Sequence, residues 1–278
     1  FRSRHGFSMT DNEIAGENRP QLLADRSFWG IAATQFLGAF NDNLYKQLML
    51  LLAIPVVVAG AAAAGADEAS SDVQGWATFV FSLPFVLFSG FAGYLSDRQS
   101  KTPIIVLCKI AEIIIMALGL AAFYYYEFFG TAGTWVVLFL MGAQSSFFGP
   151  GKYGILPELF RTQDLPRANG IILMSTFLAI ILGMAMAGTM KDQLIGDEGS
   201  AQNLWVGLCI CVGIAVAGTL TSLLIRKVPA AQPGIRLTAD CWAVSRDIYH
   251  LLRKDRGLLG ALMISSVFWL VSGLAAPT

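Results

Sequence analysis

Long apolar stretches alternate with short polar connections along this chain. Five of the stretches contain no Asp, Glu, Lys or Arg: Trp76–Leu95, Thr131–Gly149, Ala168–Met190, Asn203–Ile225 and Gly257–Ala276. An α-helix needs about 20 predominantly apolar residues to cross the roughly 30 Å hydrocarbon core of a bilayer. The pattern therefore predicts a membrane-spanning helix at each of these positions.

Two further stretches are equally long but carry charges: Phe28–Ala59, with Asp42 and Lys46, and Pro103–Tyr126, with Lys109 and Glu112. A buried helix of a large soluble protein is the alternative for any one stretch, but it does not account for seven in one chain. We therefore predict an all-α membrane protein. Its predicted parts are a cytoplasmic tail over 1–27, a six-helix bundle over 28–225, a basic linker over 226–256 and, over 257–278, a seventh helix that is the first of a truncated second bundle.

The basic residues of the connections fall almost entirely on one side of the predicted membrane. Sixteen Lys and Arg residues lie in the N-terminal tail and in every second connection after it, whereas the alternate connections contain only Lys191. Cytoplasmic segments of membrane proteins carry such an excess, so we expect the N-terminus and the linker to be cytoplasmic. Because the linker separates six closely connected helices from a seventh, we interpret the chain as the first half of a longer transporter. A seven-helix receptor is the alternative.

Composition narrows the possible functions. Hydrophobic residues make up 55% of the chain and charged residues only 14%, which excludes a disordered protein. The 19 Lys and Arg residues balance the 19 Asp and Glu residues, so no net field attracts a nucleic acid. The four cysteines lack metal-ligand spacing, and neither His5 nor His250 has a nucleophile beside it. We expect a protein that is not an enzyme and that uses no cofactor or metal.

Polar side chains inside the first span are candidates for a binding site. At about 100° per residue, Gln35, Asp42 and Lys46 fall within about 40° of one another. A carboxylate at membrane depth is costly unless it faces a partner or a water-filled cavity, so we predict that this stripe binds substrate. A local ion pair between Asp42 and Lys46 is the alternative.

The third span offers a second polar pair. Lys109 and Glu112 are three residues apart and share one helix face. A structural ion pair is the favoured interpretation, because Lys109 lies close enough to the cytoplasmic end to snorkel. Glu112 lies deeper, and we keep both residues as candidate substrate ligands in case they face a cavity.

The segment at the end of the fourth span is rich in glycine and proline. Phe148–Leu159 reads F-G-P-G-K-Y-G-I-L-P-E-L, and Gly and Pro interrupt helices. We predict that Lys152 projects from irregular backbone near the membrane surface. There it either meets a phosphate as a point charge or serves as an ordinary cytoplasmic anchor.

The connection between the second and third spans carries a signature. Gly93–Lys101 reads G-Y-L-S-D-R-Q-S-K, in which the glycine permits close packing and the two cations hold the loop at headgroup level. This resembles the G-x-L-[AS]-D-[RK]-x-[GS]-[RK]-[RK] signature of the major facilitator superfamily, with Thr102 at the last basic position. The resemblance implies six helices, a cytoplasmic linker and six more helices. It also implies a conformational gate at Gly93, Asp97, Arg98 and Lys101.

The fifth span predicts a packing surface. Ala179, Gly183 and Ala187 recur every four residues and form a small-residue face for a close helix contact. The span lacks the Gly-Pro pair that drug–proton antiporters of the superfamily commonly show there. This argues against drug efflux.

Further segments resemble one branch of the superfamily, the lysophospholipid transporter family. Gln35–Asn43 reads Q-F-L-G-A-F-N-D-N where that family has Q-F-x-x-A-F-x-D-N. Pro150–Leu159 reads P-G-K-Y-G-I-L-P-E-L where the family has P-x-K-Y-G-I-L-x-E-L. The strings A-N-G at 168–170 and S-V-F-W at 266–269 also match. Asn41 stands where the family often has Gly.

This resemblance implies a multi-pass flippase of the bacterial inner membrane. It would move lysophospholipids, chiefly lysophosphatidylethanolamine, from the outer to the inner leaflet for reacylation. Asp42 and Lys152 occupy matching motif positions. Asp42 would bind the ammonium of such a headgroup, and either Lys46 or Lys152 would bind its phosphate. The implied partners are the lipid substrate, the bilayer, a second six-helix half and, in some bacteria, a fused acyltransferase. A carrier of a small polar solute or drug, and the membrane anchor of a fused acyltransferase, are the alternatives.

Overall fold

Seven long α-helices dominate the computed structural model, which describes residues 20–60, 66–194, 205–234 and 252–275. They are α1 (Arg26–Gly60), α2 (Ala66–Arg98), α3 (Lys101–Tyr124), α4 (Tyr126–Gly154), α5 (Leu165–Leu194), α6 (Trp205–Ser222) and α7 (Arg256–Ala275). Shorter helical turns lie at Leu22–Ala24, Leu156–Leu159 and Thr162–Asp164. These described residues contain no strand.

Every predicted span overlaps one of these helices over most of its length, which confirms the predicted all-α fold class. Within the described residues, five helices, α2 to α6, are long and apolar enough to cross a membrane. His5, His250 and most of the predicted tail and linker lie outside the described residues.

Small residues allow the helices to approach closely. Helix α1 contacts α2, α4, α5 and α6, while α2 packs on α4. A Cβ atom on Gly183 of α5 would lie 2.7 Å from the carbonyl oxygen of Phe40 in α1. The predicted packing face of α5 is therefore confirmed, and its three small residues are all buried: Ala179, Gly183 and Ala187.

Two apolar clusters fill the bundle at different levels. The linker-side cluster includes Phe28, Ile105 and Phe148. The far cluster includes Leu44, Tyr45, Met116 and Leu138. Between these levels, α1, α3 and α4 carry a layer of buried polar residues: Thr34, Gln35, Asn41, Lys109, Glu112, Gln144 and Ser146. The polar layer thus lies between two apolar regions, where hydrogen bonds and charges act at low dielectric.

Helix α4 continues through Pro150 to Gly154, so the prediction that Gly and Pro break the helix there is wrong. Membrane helices tolerate proline where neighbouring helices pack against them. Here Gly151 lies against α3, since a Cβ atom on it would be 3.4 Å from Ile105. The irregular backbone occurs instead near the start of α4, where Gly130 has a φ of 56°, a conformation that glycine adopts readily.

Lys101, the last basic residue of the signature, is buried among protein side chains. Its side chain is 3% exposed, and its Nζ lies 2.5 Å from the Glu158 carboxylate, which the one-turn helix Leu156–Leu159 supplies. Arg98 remains exposed and donates a hydrogen bond to the Tyr94 hydroxyl. The two basic residues of the signature therefore have different environments.

The start of the predicted linker is attached to the connection between α2 and α3. The amide of Gln232 donates to the main-chain carbonyl of Asp97 (2.8 Å). The hydroxyl of Ser100 donates to the carbonyl of Val228 (2.6 Å). Arg226, the first residue of the predicted linker, pairs with the Asp25 carboxylate (2.7 Å). This ion pair joins the two ends of the six-helix bundle.

Candidate functional site

A cavity of about 470 Å³ lies beside the polar layer. Helices α1, α3, α4 and α5 supply its polar lining: Gln35, Asp42, Asn43, Lys109, Glu112, Gln144, Ser145, Lys152 and Thr176. Helices α2 and α5 supply much of its apolar lining: Phe81, Phe85, Leu173 and Ile180. The structure therefore brings five of the six predicted substrate ligands to one cavity, and Lys46 is the exception.

Asp42 is the charged residue that α1 contributes to the cavity lining. Its Oδ2 atom accepts a hydrogen bond from the Ser145 hydroxyl of α4 (2.9 Å). The neighbouring amide of Asn43 instead donates to the carbonyl of Ala39 on its own helix (2.8 Å). Asp42 is thus held from across the helix interface while remaining on the cavity wall.

Lys46 lies outside the cavity lining, and the alternative of an Asp42–Lys46 ion pair does not occur among the described residues. The far cluster explains this, because it begins at Leu44, directly after the last α1 residue of the cavity. One turn beyond Asp42, α1 therefore passes through apolar packing instead of a cavity wall. Asp42 and Lys46 thus share a face of α1, but only Asp42 lines the cavity.

Lys152 points into the cavity and does not project from irregular backbone. Its Nζ donates to Gln35 Oε1 (2.9 Å), and Gln35 Nε2 donates to the Thr176 hydroxyl (2.9 Å). The ammonium also lies over two aromatic rings, 4.7 Å from the centroid of Tyr153 and 5.8 Å from that of Phe148. A single polar chain thus joins α4, α1 and α5 across the cavity wall.

Lys109 and Glu112 form the ion pair that their spacing indicates, with Nζ 2.5 Å from Oε2. Lys109 is 1% exposed and does not snorkel to the surface, because Glu112 satisfies its charge inside the bundle. Asn41 of α1 donates to the other carboxylate oxygen, Oε1 (2.9 Å). The pair therefore connects α3 to α1 at the edge of the cavity.

The charges around the cavity balance. Asp42 and Glu112 each contribute one carboxylate, while Lys109 and Lys152 each contribute one ammonium. A charged side chain at membrane depth normally faces a partner, a cavity or a substrate. This arrangement can hold a small ligand group that carries both a positive and a negative charge.

Sequence reasoning did not single out three cavity partners: Gln144, Ser145 and Thr176. A signal was present for Ser145, since it lies seven residues before Lys152 and therefore on the same face of α4. No comparable signal identified Thr176, whose role depends on the contact with Gln35. Gly93, Asp97 and Arg98 lie away from this cavity, at the connection to which the linker is attached.

Comparison with known proteins agrees with these features. Similar curated relatives include lysophospholipid transporters LplT from three bacteria. The Serratia proteamaculans protein is 25% identical over 89% of this chain and 55% of its own length. The corresponding values are 27%, 89% and 55% for Cronobacter sakazakii and 28%, 76% and 46% for Salmonella arizonae. The chain spans about half the length of the curated relatives it matches.

The family match covers a larger part of the chain than any single motif. The family description Major Facilitator Superfamily matches residues 31–277, which include α2 to α7 in full and most of α1. This match confirms the resemblance that the Gly93–Lys101 signature indicated. The chain therefore belongs to the Major Facilitator Superfamily.

Proposed function

We propose that this chain forms one half of a transporter that moves lysophospholipids of the lysophosphatidylethanolamine type. The direction is from the outer to the inner leaflet of a bacterial inner membrane, with the N-terminus in the cytoplasm. A second six-helix half completes the carrier, and a fused or associated acyltransferase reacylates the lipid that is delivered.

The observation that carries this proposal is the presence of both signs of charge on one cavity inside an apolar bundle. A lysophosphatidylethanolamine headgroup contains an anionic phosphate and an ammonium. Lys152 is suited to the phosphate, because its ammonium already forms a hydrogen bond with a neutral acceptor that a phosphate can replace. Asp42 is suited to the lipid ammonium, because its carboxylate lines the same cavity.

The apolar part of the cavity lining accounts for the acyl chain. Phe85 and Leu173 both line the cavity and are 38% and 42% exposed on α2 and α5. An acyl chain that leaves the cavity along these side chains stays in contact with apolar surface while the headgroup remains among the charges. A small polar solute would make no favourable contact with this apolar surface.

Alternating access in this proposal is a rocking of the two halves around the cavity. Asp97 and Arg98 are exposed at the cytoplasmic connection, and Gly93 lies one turn before them. They would form the gate that closes this side, together with Lys101. Because the main-chain amide of Gln232 donates to the Asp97 carbonyl, a movement of the linker would also move the gate.

Transport into proteoliposomes tests the proposal directly. The protein, expressed from its complete gene, is reconstituted and given lysophosphatidylethanolamine on one side. We expect protein-dependent movement of the lipid to the opposite leaflet. Transport of small polar solutes or drugs without any movement of the lipid would contradict the proposal and favour the alternative carrier.

Replacing Lys152 by Met should slow lysophosphatidylethanolamine transport by about 10- to 100-fold, since a charge-assisted contact contributes about 1.5–3 kcal/mol. Methionine retains most of the side-chain length but removes the charge that would bind the phosphate. The initial rate of lipid movement in proteoliposomes measures the effect.

Lys227→Met is the matched control for this variant. Lys227 is exposed in the linker, so the same substitution there should leave the rate within about twofold of the wild-type rate. Equal rates for Lys152→Met and Lys227→Met would remove Lys152 from the binding site.

A further inference from the structure

Both oxygens of the Glu112 carboxylate are occupied inside the protein. Lys109 Nζ lies 2.5 Å from Oε2, and Asn41 Nδ2 donates to Oε1 over 2.9 Å. The three residues are almost completely inaccessible, with Asn41 0%, Lys109 1% and Glu112 2% exposed. Glu112 is therefore a poor ligand for an incoming ammonium, although it lies at the cavity.

The backbone of α1 leaves space for the Lys109–Glu112 pair at Gly38. A Cβ atom on Gly38 of α1 would overlap the Lys109 ammonium and would lie 3.9 Å from Glu112 Oε2. The absence of a side chain at Gly38 thus gives the charged pair its space. A solvent-facing ion pair would need no such accommodation.

The two lysines of the cavity lie over the same aromatic ring. The ring centroid of Phe148 lies 5.0 Å from Lys109 Nζ and 5.8 Å from Lys152 Nζ. Without the Glu112 charge, two ammonium groups would share one aromatic ring and the single remaining carboxylate, Asp42. Glu112 thus determines whether the cavity as a whole is neutral or positive.

We propose that Glu112 is a specificity-determining residue that neutralises Lys109 and so makes the cavity prefer zwitterionic headgroups over net-anionic ones. Asn41 is a positioning residue, which holds the carboxylate against Lys109. Asp42 then binds the headgroup ammonium, and Lys152 binds the phosphate. This inference rests on the proposed function and adds to it a reason for headgroup selection.

A competition between two lipids tests the inference. Proteoliposomes containing the protein from its complete gene receive lysophosphatidylethanolamine and lysophosphatidylglycerol together, and the ratio of their initial rates is measured. Glu112→Gln leaves the cavity with one net positive charge, so the ratio should shift about tenfold toward the anionic lipid. Lys109→Gln leaves one net negative charge and should shift the ratio about tenfold the other way.

The double variant with both substitutions separates charge from packing. It restores the charge balance, so its ratio should return to within about twofold of the wild-type ratio even if its absolute rates fall. A purely structural pair predicts lower rates for both lipids with an unchanged ratio in every variant. If Glu112→Gln does not fold, Lys109→Gln still tests the sign of the shift.

The outcomes also distinguish this inference from the proposed function. If the wild-type protein moves both lipids and the ratio is the same in all variants, the inference is overturned and the transport proposal stands. If the wild-type protein moves neither lipid, the transport proposal fails and the inference fails with it.

Discussion

Replacing Asp42 by Asn should lower the rate of lysophospholipid transport by about 100-fold or more while the protein still inserts into the membrane. Asn keeps the size of the side chain and an oxygen that accepts from the Ser145 hydroxyl, 2.9 Å away in the wild-type structure. It removes only the charge that would bind the lipid ammonium. At an effective dielectric constant of about 20, such a contact contributes up to about 4 kcal/mol, which corresponds to well over 100-fold.

The matched control for this prediction is Asp164→Asn. Asp164 lies in the short turn Thr162–Asp164 between α4 and α5, away from the cavity lining. Membrane-fraction yield and the elution volume in detergent check that both variants insert and fold. Undiminished lipid transport by a folded Asp42→Asn protein would exclude Asp42 as the ammonium ligand and would weaken the proposed function as a whole.

The helices were predictable because the physical requirement is simple. A span needs length and few charges, and both can be counted in the sequence. The difference at α2 shows where this counting fails. The helix begins at Ala66, whereas the uncharged stretch begins only at Trp76. The two differ because the first turns of the helix contain Asp67, Glu68 and Asp72. A helix that extends beyond the hydrocarbon core has no reason to avoid charge.

The helical period predicted only those relations within the candidate site that join residues of one helix. The stripe of Gln35 and Asp42 follows from the helical period, and the pairing of Lys109 with Glu112 follows from their three-residue spacing. Contacts between helices do not follow from the sequence of either helix. The contact of Asn41 with Glu112 depends on how α1 packs on α3, which no single-sequence pattern contains.

Lys152 shows how one wrong local assumption changes the interpretation of a site. A helix break at Pro150 would send this side chain toward the membrane surface. The observed continuation of α4 instead adds another turn and brings Lys152 onto the same face as Ser145. Tertiary packing at Gly151 overrides the local preference of proline, and the cation is thereby placed on the cavity wall.

Gly142→Ala should destabilise the bundle by about 3 kcal/mol or more and greatly reduce the yield of folded protein. Gly142 lies where α4 crosses α2. A Cβ atom there would overlap the carbonyl oxygen of Phe81, and it would lie 3.0 Å from the Phe81 carbonyl carbon and 3.2 Å from Pro84 Cγ. Backbone atoms cannot rotate away as a flexible side chain can, so the two helices must separate.

Gly149→Ala provides the matched control on the same helix, because a Cβ atom at Gly149 would meet no atom within 4 Å. Alanine also has a higher helix propensity than glycine, so this control should be at least as stable as the wild type. Thermal unfolding in detergent and the monodisperse fraction after size-exclusion chromatography compare the two variants. Equal stability would mean that α2 and α4 lie farther apart than the structure places them. Because Phe81 and Phe85 of α2 line the cavity, a wider separation would also displace the apolar wall assigned to the acyl chain.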